Sequence, residues 1–306
     1  MTSPPSRSGD ATAGGNRVLV ALADGMGGHT SGQIASRTVC DNYVRAFAEA
    51  AADPDVGQRM VVALERCNDA VASAIATDPS LAGMGSTLVA AHVDGEGVRW
   101  VSVGDSTLML YRDGILQRLN ADHSHGAILD QQAAAGIISE EVARSDTRRR
   151  ALHSALTGHP IPLQDLGLEG LPLEPGDWVI LASDGLLTLT GDEIATMIHD
   201  YASGTPDRLV AALVDAVEQR GEPNQDNTTV AALNVVAANG SMSGAEGGAM
   251  SVTDKSTRIL PETDATETVE RAGSAAPGGD EAGGSTLWIA GLGVAILAAV
   301  AVWLLV

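Results

Sequence analysis

Four times in this chain an apolar run that reads as a β-strand meets an aspartate. VLVALADGM places Asp24 and Gly25 after such a run, WVSVGDS places Asp105, WVILASDGL places Asp184 and Gly185, and QDNTTV sets Asp226 just before another. A strand holds its end rigidly and a glycine lets the backbone turn sharply, so carboxylates in these positions can converge on one polar pocket. Any one Asp-Gly is an ordinary turn former. Four in order, each tied to a strand, demand a fold that brings several strand ends together.

The rest of the pattern says which kind of fold. Apolar alternation predicts strands over Val18–Ala23, Thr87–Val93, Val98–Val103, Leu108–Tyr111, Ile115–Leu119, Trp178–Ala182 and Thr228–Val235, with turns at Asp94-Gly95, Asp113-Gly114 and Pro175-Gly176. Three-to-four residue spacing predicts helices over Ser31–Ala52, Gln58–Thr77, Asp192–Tyr201 and Pro206–Arg220. Hairpins set apart from paired helices indicate a layered α+β domain and not a parallel sheet with crossover helices. Apolar residues make up 44% of the 306-residue chain but aromatics only 3%, so its core must be built from Ala, Val, Leu and Ile. A net charge of -21, with Lys255 the only lysine, excludes a nucleic-acid binder, which needs clustered cations to neutralise phosphates. Cys40 and Cys67 both fall in helical segments and form neither a disulfide framework nor a four-ligand zinc motif.

Three or four carboxylates in one pocket resist ionising together unless a cation compensates them. Hard oxygen ligands favour Mg2+ or Mn2+ over softer metals. Two such ions sharing a water lower its pKa and neutralise a phosphoryl group under attack, which is the chemistry of direct phosphate-ester hydrolysis.

The ordered motifs DGMGGH (Asp24–His29), GSTLVAA (Gly85–Ala91), VGDS (Val103–Ser106), RDG (Arg112–Gly114), DHS (Asp122–Ser124), LASDGL (Leu181–Leu186) and QDNTT (Gln225–Thr229) resemble those of the PPM family, the 2C-type metal-dependent serine/threonine protein phosphatases. The resemblance runs over residues 17–236. It implies an α-β-β-α sandwich, two antiparallel sheets flanked by helices, with two or three Mn2+ or Mg2+ at one edge. It also implies that Asp24 bridges two metals, that the Gly25 carbonyl binds one, and that Asp184 and Asp226 bind the other. Asp105 then helps hold a weaker third metal, and Asn227 steadies the last ligand. His29 is a candidate proton donor to the leaving oxygen, displaced from the usual position directly after Asp-Gly, where Met26 stands. His123 is expected to be structural. Family members open with an arginine-containing segment that supplies a phosphate contact and a further carboxylate; Arg7 and Asp10 stand nearest to those roles in the short atypical segment 1–16.

Residues 237–285 are rich in Gly, Ser, Thr and acids and read as a disordered linker. Leu287 to Val306 is a run of twenty uncharged apolar residues, flanked near its ends by Trp288 and Trp303, and is expected to form a transmembrane helix within 286–306. No signal peptide is apparent, so the expected placement is a single pass in the cell membrane with the catalytic domain in the cytoplasm. The expected partners are phosphorylated proteins and a serine/threonine kinase whose action the enzyme reverses. The alternative is a catalytically weakened phosphoprotein-binding scaffold at the membrane, suggested by the diverged front segment.

Overall fold

The computed structural model describes residues 10–11, 17–223, 225–236, 250–251 and 298–304. In chain order the elements are β1 (Asp10–Ala11), β2 (Val18–Met26), α1 (His29–Glu49), α2 (Val56–Thr77), β3 (Gly85–Ser86), β4 (Leu88–Asp94), β5 (Gly97–Val103), β6 (Thr107–Arg112), β7 (Ile115–Arg118), α3 (His125–Ala134), α4 (Glu140–Ser145), β8 (Asp165–Leu171), β9 (Trp178–Ala182), α5 (Gly191–Asp200), α6 (Pro206–Arg220), β10 (Val230–Asn234), β11 (Met250–Ser251) and β12 (Ala298–Leu304). One antiparallel sheet has the order β12-β2-β4-β5-β8, with β3 joined to the end of β2, and a second has the order β10-β9-β6-β7.

Strand periodicity explains the layers. In β2, Val18, Val20 and Leu22 pack with Val89, Leu108, Leu110, Val179 and Leu181, which fills the space between the sheets. Leu19, Ala21 and Ala23 point the other way and meet Tyr43 and Phe47 of α1 and Met60 and Leu64 of α2. On the far side, Met109, Tyr111, Trp178 and Ile180 of the second sheet meet Ile194, Ile198, Leu209 and Leu213 of α5 and α6. Three apolar interfaces therefore separate four layers, α-β-β-α, as the resemblance implies. Strands β2, β4, β6, β9 and β10 are buried on both faces, which is why they read as near-continuous apolar runs.

Most of the expected elements are present. The Asp113-Gly114 turn joins β6 to β7 with both residues at positive φ, 51° and 84°, the requirement of a tight two-residue hairpin. The turn at Pro175-Gly176 is real but joins β8 of one sheet to β9 of the other, so it makes no hairpin. β8, α3 and α4 were not legible. β8 carries two glycines, which weaken a strand pattern. Its Gly167 lies under the Trp100 ring, where an added Cβ would come within 2.2 Å of the ring.

The tail departs from expectation. Of the apolar run Leu287–Val306, residues 298–304 are described, and they form a strand paired with β2 from Ala298↔Asp24 to Leu304↔Val18. The outer edge of β2 presents unpaired backbone donors and acceptors, and an Ala/Val-rich segment satisfies them as readily as it forms a helix. An apolar run alone does not separate these outcomes. Among the described residues no helix is long and apolar enough to cross a membrane. Within the expected linker, Met250–Ser251 are described and pair with Asp10–Ala11.

One buried group makes this framework sensitive to acid. His92, 1% exposed on β4, has its pKa pushed down to about 4 by burial first, with Arg59 and Arg99 adding to the fall against the opposing pull of Asp94. The folded state thus keeps His92 neutral where the unfolded chain takes up a proton. Its contribution to stability is present above the ordinary histidine pKa and is lost as pH falls from about 6.5 towards 4, a swing on the order of 3 kcal/mol. Denaturant titrations at pH 7 and pH 5 should show this loss, and a His92→Gln variant should show a shallower dependence on pH.

Candidate active site

Registers across the two sheets bring the four aspartates to one end of the sandwich. Gly25 of β2 pairs with Ser86, and the β5 residue Val103 pairs with Leu88, so Asp24 and Asp105 emerge at the same end of the first sheet. In the second sheet Ala182 pairs with both Thr107 and Val230, which places Asp184, one turn past β9, beside the segment that carries Asp226 into β10.

Hydrogen bonds clamp each strand end. The Asp24 amide donates to Thr87 Oγ1 at 2.9 Å, and its carbonyl accepts from Ser86 Oγ at 2.9 Å and from the Thr87 amide at 2.8 Å. Thr87 Oγ1 in turn lies 2.7 Å from Ser106 Oγ, tying β2 to the loop that crosses between the sheets. That loop begins at Gly104, whose φ of 101° suits glycine, and there a Cβ would sit 2.6 Å from the Thr87 side chain. His123 locks the same loop: its Nδ1 accepts from the Gly104 amide at 3.1 Å and its own amide donates to the Gly104 carbonyl at 3.1 Å. Across the site, Ser183 Oγ donates to the Asn227 carbonyl at 3.1 Å and accepts from the Thr229 amide at 3.0 Å, fixing Asp184 against Asp226.

The charges interact strongly. Burial first, then Asp184, Asp226 and Asp105, push the Asp24 carboxyl up to about 8. Asp105 is raised to about 7 by burial and then by Asp184 and Asp122, and Asp184 is raised by burial and then by Asp226. The carboxylates face a cavity of about 560 Å³ whose lining includes Asp105, Asp122, Asp184 and Asp226. Among the described residues no three His, Cys, Asp or Glu side chains are arranged to hold a metal ion as they stand. Like charges gain nothing by closing up until a cation sits between them. Two observations fit a cation there. Asp184 Oδ1 and Asn227 Oδ1 are buried and accept no hydrogen bond, an expense that a hard cation removes. Cations supplied by the protein itself are scarce, the contact of Arg150 Nη1 with Asp226 Oδ2 being loose at 3.5 Å.

Gly25 is where helix α1 presses closest. A Cβ on Gly25 would lie 1.9 Å from the Gly32 carbonyl, so only glycine lets the end of β2 run under the start of α1. Asn227 donates its amide to Asp226 Oδ1 at 3.0 Å, which suits a residue steadying that carboxylate. His29 is the first residue of α1, whose N-cap is Gly28, and its side chain is outside the described ones. Asp10 is placed only through its backbone, in β1, and Arg7 lies outside the described residues. Asp122 and Arg150 were not singled out from sequence, because neither follows a strand. Asp122 was visible in DHS, and Arg150 in the Arg148–Arg150 run, conspicuous in so acidic a chain.

Comparisons with known proteins agree with this architecture. The sequence model of the family described as Protein phosphatase 2C matches residues 7–217. The serine/threonine protein phosphatase PstP of Mycobacterium tuberculosis is 33% identical over 230 residues; the match covers 74% of this chain and 42% of that relative's length. A 2C-type protein phosphatase of Streptococcus pyogenes is 32% identical over 224 residues, covering 71% of this chain and 85% of the relative. The crystal structure of the Mycobacterium tuberculosis phosphatase superposes with a TM-score of 0.58 at 29% identity, covering 76% of this chain and 97% of that one. A PstP catalytic domain solved with two manganese ions superposes with a TM-score of 0.56 at 30% identity, covering 76% of this chain and 96% of that one. The chain belongs to the protein phosphatase 2C family.

If the carboxylate pocket takes up divalent metal, Mn2+ at a hundredfold excess over its dissociation constant should stabilise the fold by about 2.7 kcal/mol. Thermal melts with Mn2+ and with chelator should show this rise in Tm, and Asp184→Asn should diminish it.

Proposed function

We propose that this chain hydrolyses phosphoserine and phosphothreonine on proteins, using a water activated by divalent cations. The observation that carries the reading is the set of aspartates Asp24, Asp105, Asp184 and Asp226 at one end of the sandwich, where burial and acidic neighbours raise the carboxyl pKa of Asp24, Asp105 and Asp184. When bound, Mn2+ or Mg2+ would supply a nucleophilic water at neutral pH and neutralise charge on the phosphoryl group. In this reading Asp24, the Gly25 carbonyl, Asp184 and Asp226 would hold two ions and Asp105 would help hold a weaker third. Asn227 would orient Asp226, and Asp10 would be the further carboxylate offered by the front segment. Arg7 is the phosphate contact offered by the front segment, and His29 the donor of a proton to the departing seryl or threonyl oxygen. The PstP domain that superposes on this chain holds two manganese ions, which supports the metal requirement.

Relatives described as serine/threonine protein phosphatases support phosphoproteins as substrates, with a serine/threonine kinase as the opposing enzyme. The scaffold alternative is less favoured, since the relatives are described as serine/threonine phosphatases and the chain carries the motif aspartates Asp24, Asp184 and Asp226. The chain is further proposed to be held at the cell membrane by its last twenty residues, with residues 17–236 as the cytoplasmic catalytic domain and residues 237–285 as the tether. Support for this comes from the uncharged run Leu287–Val306, which is long enough to span a bilayer as a helix; in the membrane-held state residues 298–304 would leave the β2 edge on which they lie here.

The deciding experiment measures phosphate release from a phosphothreonine peptide by the full chain. Turnover is expected with Mn2+, and both chelator and Asp184→Asn should reduce it to background. A folded protein that binds the peptide and releases no phosphate at high Mn2+ would favour the scaffold instead. Separately, cell fractionation should place the full chain with membranes and a chain ending at residue 286 in the soluble fraction; membrane association that survives the truncation would sink the anchor.

A further inference from the structure

The residues of β12 belong to two structures that cannot coexist. Residues 298–304 pair antiparallel with the outer edge of β2, from Ala298↔Asp24 to Leu304↔Val18. The same residues lie inside the uncharged run Leu287–Val306, the anchor proposed above. A lone strand cannot enter hydrocarbon, where its backbone donors and acceptors would go unpaired, so a single segment crosses a bilayer only as a helix. Residues 298–304 therefore serve either the sheet or the bilayer.

Alternation along β2 shows what the sheet loses when they leave. Asp24 turns its backbone towards β4: its amide donates to Thr87 Oγ1 at 2.9 Å and its carbonyl accepts from the Thr87 amide at 2.8 Å. By the same register Leu22 and Val20, opposite Val89 and Ala91, also turn their amides to β4. The residues between them, Leu19, Ala21 and Ala23, turn theirs the other way, opposite Trp303, Ala301 and Ala299 of β12. All three are at most 1% exposed, so their outward amides and carbonyls are closed off from water and depend on β12 for partners. The last of the three adjoins Asp24 at the head of the carboxylate pocket.

We propose that residues 298–304 are an exchangeable strand, held on the β2 edge in water and withdrawn into a helix when the chain enters a bilayer. Membrane attachment then strips the outer partner from the strand that carries Asp24, which couples the anchor to the active-site end of the first sheet. This rests on the anchor reading above and assigns the anchor residues a second seat in the catalytic domain.

The test follows hydrogen exchange at single amides of the full chain, in water and with phosphatidylcholine vesicles, which have no net charge to repel a chain of net charge -21. Flotation reports vesicle binding. Two variants accompany it: a chain ending at residue 297, and Ala295→Arg, which puts a charge into the apolar run just ahead of β12. In water the amides of Leu19, Ala21 and Ala23 should exchange about tenfold or more slower in the full chain than in the truncated one, while Val20 and Leu22 should differ little. Vesicles should float the full chain and bring the three outer amides to the faster rates; Ala295→Arg should neither float nor lose protection. Equal outer protection in the full and truncated chains overturns the proposal. So does protection that persists in the floated chain, which would leave the anchor reading standing alone. A full chain that does not float sinks the anchor reading and the exchange with it, and the rates in water then show separately whether β12 covers β2. If the truncated chain does not fold, Val20 and Leu22 lose protection as well, and the vesicle measurement on the full chain decides. Outer protection that falls on dilution would give the strand to a second copy of the chain and overturn the exchange within one chain.

Discussion

Negative charge crowded into a partly dry pocket is the constraint on which the rest of this structure depends. Burial and neighbouring carboxylates raise the affinity of Asp24, Asp105 and Asp184 for protons, with Asp226 among the neighbours that act on Asp24 and Asp184. What holds them is the sandwich. Each sits at a strand end or in a short turn whose backbone is tied down by hydroxyl groups: Thr87 and Ser86 at Asp24, Ser106 through Thr87, and Ser183 between Asp184 and Asp226. Small hydroxyl side chains suit this work, since they satisfy backbone groups without adding charge.

Positive charge is distributed with the same economy. The chain has 18 basic residues against 39 acidic ones, and around the site the arginines chiefly pin loops. Arg118 ties the Asp105 carbonyl to Asp122, Arg149 ties the loop before β8 to α3, and Arg112 closes the β6 end onto Asp177 at 2.8 and 2.5 Å. A guanidinium spent on a buried or bidentate pair is stable but unavailable to a ligand. Arg150, which lines the pocket, is paired only loosely, with Asp226 at 3.5 Å.

Much of this was legible before any coordinates. The strands containing Leu108–Tyr111 and Trp178–Ala182 and the helix Pro206–Arg220 declare themselves by periodicity, because strands buried on both faces must be apolar throughout and amphipathic helices must repeat every three to four residues. β8 was not legible, because its Gly167 makes room for the Trp100 ring and its Gly170 lies against Arg99, both on a neighbouring strand, and so answer to tertiary contacts. α3 and α4 were missed although Ser124 and Ser139 cap them, each accepting from the amide three residues on at 3.2 Å; α4 has only six residues, and α3 buries only Gly126 and Leu129, so neither shows an apolar period. The apolar tail was read as a helix, while its described residues lie as a strand along β2. Composition cannot separate these, since the outcome turns on whether an open sheet edge is within reach.

By itself, then, the sequence determined the layered α+β architecture, the family and the identity of the strand-end aspartates, because each is written in local periodicity or in short motifs. Only the tertiary structure decided that Asp122 and Arg150 belong to the same pocket, which arginines are already engaged, and what lies against the free edge of β2. Those are relations between segments far apart in the chain, set by strand register and by competition among like charges, and no local pattern encodes them.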